Sequence, residues 1–148
     1  MLDIPAKKVV FSNGCFDVIH RGHIELLKAC RGLFEDTWVI VGLNSDESVR
    51  RLKGAQRPIN TEQDRKAVLE AISFVDQVII FNEDTPYELI KSLKPDAIVK
   101  GGDWKPSEVA GGDIAPVYCV QCVNFNNGEK YSTTSILEKL SKKDLTSQ

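Results

Sequence analysis

The sequence predicts an α/β fold, a doubly wound parallel sheet with helices on both faces. Three observations carry this. Short β-rich runs alternate with stretches of helical periodicity from about residue 8 to residue 140, the pattern that builds a parallel sheet with helical crossovers. The run at residues 38–43, Trp-Val-Ile-Val-Gly-Leu, is apolar almost throughout, as a central strand covered on both sides requires. The chain has 148 residues, 42% hydrophobic and 27% charged, which suits one globular domain over residues 1–148.

Each element has a local reason. Val9, Val10, Phe11 and Ser12 form a first strand, stopped by Asn13 and Gly14. Ile24, Leu26, Leu27, Ala29, Cys30 and Leu33 suit a helix that buries much of its surface. After the second strand, Ser45 and Asp46 are N-cap types, which predicts a short helix over residues 45–53. Residues 54–60 form a loop. Thr61 then opens a third helix carrying Ala67, Val68, Leu69, Ala71 and Ile72, with Asp64 completing a loose capping box. Residues 78–81 read as a third strand, residues 86–93 as a helix with Pro86 in its first turn, and residues 97–100 as a fourth strand. A strand near residues 115–120 and a helix from about Thr133 to Leu140 complete the order. Right-handed crossovers place the ligand crevice of such a Rossmann-like sheet at the carboxyl ends of its strands, where strand order reverses. The chemistry is therefore expected just after Phe11, Val41, Phe81 and Val99.

Composition excludes several classes. Nineteen Lys and Arg against twenty-one Asp and Glu give a net charge of -2, without the basic excess of a general nucleic-acid binder. No apolar run is long enough to span a bilayer, and the first residues lack a signal-peptide core. Cys15, Cys30, Cys119 and Cys122 then read as free thiols in a reducing, cytoplasmic setting. Cys119 and Cys122 form one Cys-x-x-Cys in a strand, a weak zinc signal, and are read as core or surface thiols.

The loop after the first strand, Ser12-Asn-Gly-Cys-Phe-Asp-Val-Ile-His-Arg-Gly-His23, is the richest stretch. A strand, a glycine-bearing turn and a helix N-terminus make an anion site of outward N–H groups. Gly14 permits the turn, and Gly22 lets a ligand approach the first helical turn. His20 and His23, three apart, would share a face and donate to phosphate without permanent charge. Two other readings stay open: packed histidines at a helix end, or a zinc pair completed by Asp17, Cys15 or Glu25.

Three further stretches fall on the predicted ligand side. Residues 50–57 carry four cations in eight residues, a solvated face by default; Gly54 and Pro58 shape the loop so that Lys53 can act as a point charge and Arg57 as a fork on phosphate. Lys100, Gly101, Gly102 and Asp103 follow the fourth strand; the glycines suit close approach of something flat or phosphorylated, and Asp103 an acceptor for a base or sugar hydroxyl. Ser132, Thr133 and Thr134 open the last helix, either as plain caps or as a grip on outer phosphates. The P-loop, Gly-x-Gly-x-x-Gly and Gly-x-Ser-x-Gly patterns are absent, which removes the fingerprints of P-loop kinases, dinucleotide oxidoreductases and serine hydrolases.

Asn13-Gly-Cys-Phe-Asp17 followed by His20-Arg-Gly-His23 resembles the His-x-Gly-His signature of the nucleotidyltransferase (cytidylyltransferase) superfamily. The resemblance implies that Cys15, Phe16 and His20 bind nucleotide phosphates, that His23 stabilises the pentavalent phosphorus, and that Asp17 orders the loop. Lys53-Gly with Arg57-Pro, Arg65, Glu83-Asp-Thr-Pro86, Lys100-Gly-Gly-Asp-Trp104 and Ser132-Thr-Thr are together similar to the heptose-1-phosphate adenylyltransferase branch, found as part of a bifunctional kinase/adenylyltransferase or as a small separate protein. This extends the implied nucleotide-binding set to Asn13, Gly14, Asp17, Gly22, Arg57, Arg65, residues 100–103 and residues 132–134, with His20, His23 and Lys53 catalytic. The resemblance implies that the protein itself holds no metal and that Mg2+ comes with the nucleotide. It implies ATP or CTP and a phosphorylated sugar or polyol as substrates, and a homodimer. Glycerol-3-phosphate cytidylyltransferase shares the Gly-Asp-Trp and Ser-Thr-Thr elements but has an arginine ahead of the latter, where residues 126–131 have none. Cytidylyl transfer to a polyol phosphate, and a non-catalytic binding module, are the alternatives.

Overall fold

The computed structural model describes residues 4, 6–102, 104–120 and 132–146, with side chains through residue 142. Five strands, β1 (Lys8–Gly14), β2 (Thr37–Asn44), β3 (Gln77–Phe81), β4 (Ala97–Gly101) and β5 (Val117–Val120), form one sheet. All pairings are parallel and the order is β3-β2-β1-β4-β5. The helices are α1 (Arg21–Gly32), α2 (Asp46–Lys53), α3 (Glu62–Glu70), α4 (Tyr87–Leu93) and α5 (Thr133–Thr146), with a 3-10 turn at Pro106–Glu108. This is the doubly wound α/β architecture expected. None of the described helices is long and apolar enough to cross a membrane.

The alternation of side chains along each strand divides the core into two layers. Val10, Val39, Val41 and Val99 face one side, packed with Leu26, Leu27 and Cys30 of α1 and Leu69 of α3. Val9, Phe11, Ile40 and Ile98 face the other, packed with Ile90 of α4 and with Val109. Leu27 and Ile90 are wholly buried, each contributing roughly 1.5–3 kcal/mol of hydrophobic stabilisation. Carboxylates secure the amino ends of the strands: Asp96 accepts from the Val9 N–H and Asp76 from the Val39 N–H, both at 2.8 Å.

Boundaries differ from the sequence reading chiefly at four places, one of them the last helix, which runs past Leu140 to Thr146. β1 runs on through Asn13 and Gly14, because both pair with β2 at Gly42 and Leu43; the ladder overrides their turn preference. The third helix ends at Glu70, and Val68 is half exposed, since Arg65 and Leu69 are the residues of this helix that turn inward. β5 starts at Val117, after Pro116, whose ring nitrogen has no N–H to give a ladder. The caps fall as read: Ser45 Oγ accepts from the Ser48 N–H, and Thr61 Oγ1 from the Asp64 N–H.

Candidate active site

Strand order reverses between β1 and β4, so the crossovers leave a crevice at their carboxyl ends. A cleft of about 1080 Å3 opens there, lined by the β1–α1 loop, Lys53, Arg57, Pro86, the residues after β4 and the start of α5.

At its centre the chain leaves β1 through Gly14 and turns at Phe16, whose φ of 46° lies in the left-handed region, costly for a bulky residue. Burial holds it there. The Phe16 ring is 3% exposed, packs beside Gly14, and sits 5.0 Å from the His23 ring. A Cβ on Gly14 would stand 3.1 Å from that ring.

His20 is the N-cap of α1 and His23 its third residue. Each ring accepts a backbone N–H through Nδ1: His20 from Gly22 at 3.1 Å, and His23 from His20 at 3.2 Å. The rings stack with centroids 3.8 Å apart. An Nδ1 that accepts carries no proton, so in each neutral ring Nε2 bears the hydrogen. Electrostatics agrees. Burial lowers His20, and burial, then His20, then Lys53 bring His23 down to about 3. The pair therefore presents neutral imidazole N–H donors at ordinary pH.

Asp17 organises the second wall. Its carboxylate accepts from Arg57 Nε at 3.0 Å and from the N–H groups of Ile59 and Asn60, while Asn60 Nδ2 donates to the Asp17 carbonyl at 2.8 Å. Burial alone would raise its pKa; the N–H groups of Asn60 and Ile59 and the Arg57 guanidinium outweigh that and hold it below the ordinary value. Residues 57–60, including the cis Arg57–Pro58 peptide, are thus fastened over the β1 loop. The Asp17 carboxylate is engaged in this contact, and the residue also lines the cleft.

Arg65 departs from the sequence reading. It was grouped with the nucleotide-binding residues, yet it is 1% exposed and does not line the cleft. Its guanidinium donates to the carbonyls of Asn60 (3.0 Å), Cys15 and Asn44 (both 2.8 Å) and pairs with Asp46 at 2.9 Å. Arg65 is the internal tie between the β1 loop, the end of β2 and the 54–60 loop.

Ser132 caps α5, accepting from the Ser135 N–H at 3.0 Å, and Thr133 Oγ1 donates to the Val18 carbonyl at 3.1 Å. Both cap and cleft readings of this segment fit, because residues 132–134 also line the cleft. Asn13, Cys15, Gly22, Lys100, Gly101 and Gly102 line it too. Burial raises the Cys15 thiol despite Lys53, Arg65 and Arg57 nearby, so it is a poor nucleophile. Asp103, Cys122 and residues 126–131 lie outside the described residues. Cys119 is exposed and its thiol donates to the Trp104 carbonyl at 2.9 Å.

Sequence reasoning missed part of the wall. Leu52, Glu108, Val109 and Ala110 line the cleft with no role read for them, and Trp104, read only as the end of the Lys100–Trp104 motif, lines it too. Pro106 and the Gly111-Gly112 pair were the available signals of a shaped segment there.

Comparisons with known proteins agree with this geometry. The chain is 52% identical over 134 residues to bifunctional protein HldE of Nitratiruptor sp., and 54% over 138 residues to that of Campylobacter curvus. These alignments cover 90% and 93% of this chain but 28% of each relative, so the chain spans under a third of their length. A crystal structure titled lipopolysaccharide core biosynthesis protein, from Thermoplasma volcanium, superposes with a TM-score of 0.64 at 27% identity, covering 86% of this chain and all of that one. A Streptococcus pneumoniae structure described as a macrolide-efflux protein, at 21% identity and a TM-score of 0.61, shares the fold. The profile described as cytidylyltransferase-like matches residues 11–139. With nearly the whole chain inside that match and the two stacked histidines at the sheet's reversal point, the chain belongs to the cytidylyltransferase-like family of nucleotidyltransferases.

Proposed function

We propose that the protein transfers an adenylyl group from ATP to a sugar 1-phosphate, with D-glycero-manno-heptose 1-phosphate as acceptor, giving a nucleotide-sugar and pyrophosphate. The observation that carries this is the His20–His23 pair, stacked at 3.8 Å with both Nδ1 atoms held by backbone N–H groups. The choice of acceptor is supported by the HldE relatives and by the neighbour named for lipopolysaccharide core biosynthesis.

An oxygen of the acceptor phosphate attacks the α-phosphorus in line. The bond to the bridging oxygen of the β-phosphate breaks, and pyrophosphate leaves with the electron pair. Neutral imidazole donors from His20 and His23 stabilise the charge on the non-bridging oxygens, and Lys53 steadies the leaving group. N–H groups of Cys15 and Phe16 and the start of α5 hold the remaining phosphates. Mg2+ would be held by the nucleotide's own phosphates and would supply neutralising charge there. The described carboxylates of the cleft suit this: Asp17 is bound to Arg57, Asp84 to Arg51, and Glu108 is exposed. That set is no ready protein cage for a cation.

A pyrophosphate-release screen of four nucleoside triphosphates against sugar 1-phosphates and polyol phosphates tests the proposal. Turnover with ATP and the heptose phosphate is the expected result. Turnover only with CTP and glycerol 3-phosphate would move the assignment to the cytidylyl branch, and no release with any pair would leave a binding module. The family resemblance also implies a homodimer in the cytoplasm, which sedimentation and cell fractionation test.

A further inference from the structure

Three cations line the cleft: Lys53, Arg57 and Lys100. Arg57 is neutralised by Asp17 at 3.0 Å. Among the described residues, neither Lys53 nor Lys100 has an ion pair. In the sheet, β1, which leads to the histidines, lies between β2, which leads into α2 and Lys53, and β4, which carries Lys100.

Lys100 is the less comfortable of the two. It is half buried, its ammonium rests 5.4 Å from the centroid of the Trp104 ring, and the titratable groups bearing on it are the thiols of Cys15 and Cys119. Burial lowers its pKa, the mark of an ammonium short of countercharge. Its own segment is nevertheless well held: the Gly102 N–H donates to the Val120 carbonyl at 2.9 Å, and the Cys119 thiol secures the Trp104 carbonyl. Trp104 is 48% exposed at the rim of the cleft, a flat apolar surface of the kind that stacks on the CH face of a sugar ring.

We infer that Lys100 and Trp104 form the acceptor subsite, with Lys100 binding the phosphomonoester of the incoming sugar phosphate and Trp104 its ring, while Lys53 serves the triphosphate. Lys100 is thereby taken from the nucleotide set, where the sequence put it, and made a determinant of acceptor specificity. This rests on the transfer reaction proposed above.

Calorimetric binding of D-glycero-manno-heptose 1-phosphate to protein saturated with α,β-methylene-ATP tests it. Lys100→Met nearly conserves volume, so the fold should survive. The expected result is a loss of acceptor affinity of about 10–100-fold, the worth of one hydrogen bond to a charged group, with nucleotide affinity changed less than twofold and part of the loss recovered in Lys100→Arg. Unchanged acceptor affinity, or weakened nucleotide binding instead, would overturn the assignment. A second measurement needs no change at Lys100. In Trp38→Phe, where Trp104 is the sole tryptophan, the sugar phosphate must alter its fluorescence, and a silent titration would also overturn the assignment. Pyrophosphate release by the unaltered protein is read separately: acceptor binding of the expected pattern without release would sink the transfer reaction and leave the subsite standing.

Discussion

Replacing Arg65 by Met separates an internal tie from a nucleotide ligand. The guanidinium is fully buried and makes four hydrogen bonds of 2.8–3.0 Å, three to main-chain carbonyls and one to Asp46. Methionine fills much of the volume and satisfies none of them. An acceptor left dry costs about 1–3 kcal/mol, and breaking a buried charge pair about 3–5 kcal/mol. The Asp46 side chain is 24% exposed and regains some water, so the loss should settle near 3–5 kcal/mol in total. For a chain of this size that lowers the melting temperature by roughly 6–20 °C. Urea unfolding followed by tryptophan fluorescence, with and without ATP, reads both quantities. A variant that unfolds at the wild-type urea concentration but no longer binds nucleotide would refute the reasoning, because Arg65 would then be touching phosphate.

His23→Ala should lose on the order of 10²–10³ in turnover, the usual cost of one donor to a developing oxyanion, and near-normal steady-state turnover would remove the histidine from the mechanism. The same residue predicts a pH effect on stability. His23 binds its proton near 6.5 when unfolded and near 3 when folded, so its stabilisation is complete above pH 6.5 and falls away below it at up to about 1.4 kcal/mol per pH unit. Urea melts of wild type and His23→Gln between pH 7 and 4.5 should therefore converge as pH falls; parallel curves would contradict it. Gly14→Ala places a methyl 3.1 Å from the Phe16 ring, and overpacking of this kind costs about 1–3 kcal/mol. Asp17→Asn should loosen residues 57–60 and raise the KM for nucleotide more than it lowers kcat, with hydrogen exchange of the Ile59 and Asn60 amides as the direct reading.

What was legible in the chain follows the range of the forces involved. Caps at Ser45 and Thr61 and the alternation of strands and helices depend on neighbours within a few residues, and the structure has them where the sequence puts them. His20 and His23 belong to the same class, three residues apart on one helix start, so their pairing could be read directly. Asn13 and Gly14 could not, because a turn dipeptide becomes strand only when β2 offers Gly42 and Leu43 as partners. Arg65 is the clearest case. It sits in a run of charged residues, Glu62-Gln-Asp-Arg-Lys66, that looks like a solvated face. Its burial is decided by carbonyls at residues 15, 44 and 60, which no local pattern announces. Trp104 joins the cleft for a similarly distant reason, through the Cys119 thiol on β5.

The charge layout of the cleft follows from what the reaction needs. Two polyanions must meet, and each brings charge that water would otherwise screen. A group at the reacting centre raises the rate only where it holds the transition state more firmly than the substrates. In this cleft the centre is neutral. Burial keeps His23 uncharged and the backbone N–H groups fix its tautomer, so its donor is oriented before substrate arrives and strengthens only as charge builds on the phosphorus oxygens. The permanent charges of the cleft come from neighbouring elements, Lys53 from the end of α2 and Lys100 from β4, where both can collect anions. Arg57 and Arg65 would upset that arrangement if free; each is instead paired with a carboxylate and used to brace the loop. The parallel sheet makes this layout natural, because the reversal between β1 and β4 opens the crevice at their carboxyl ends, where the β1–α1 loop lies.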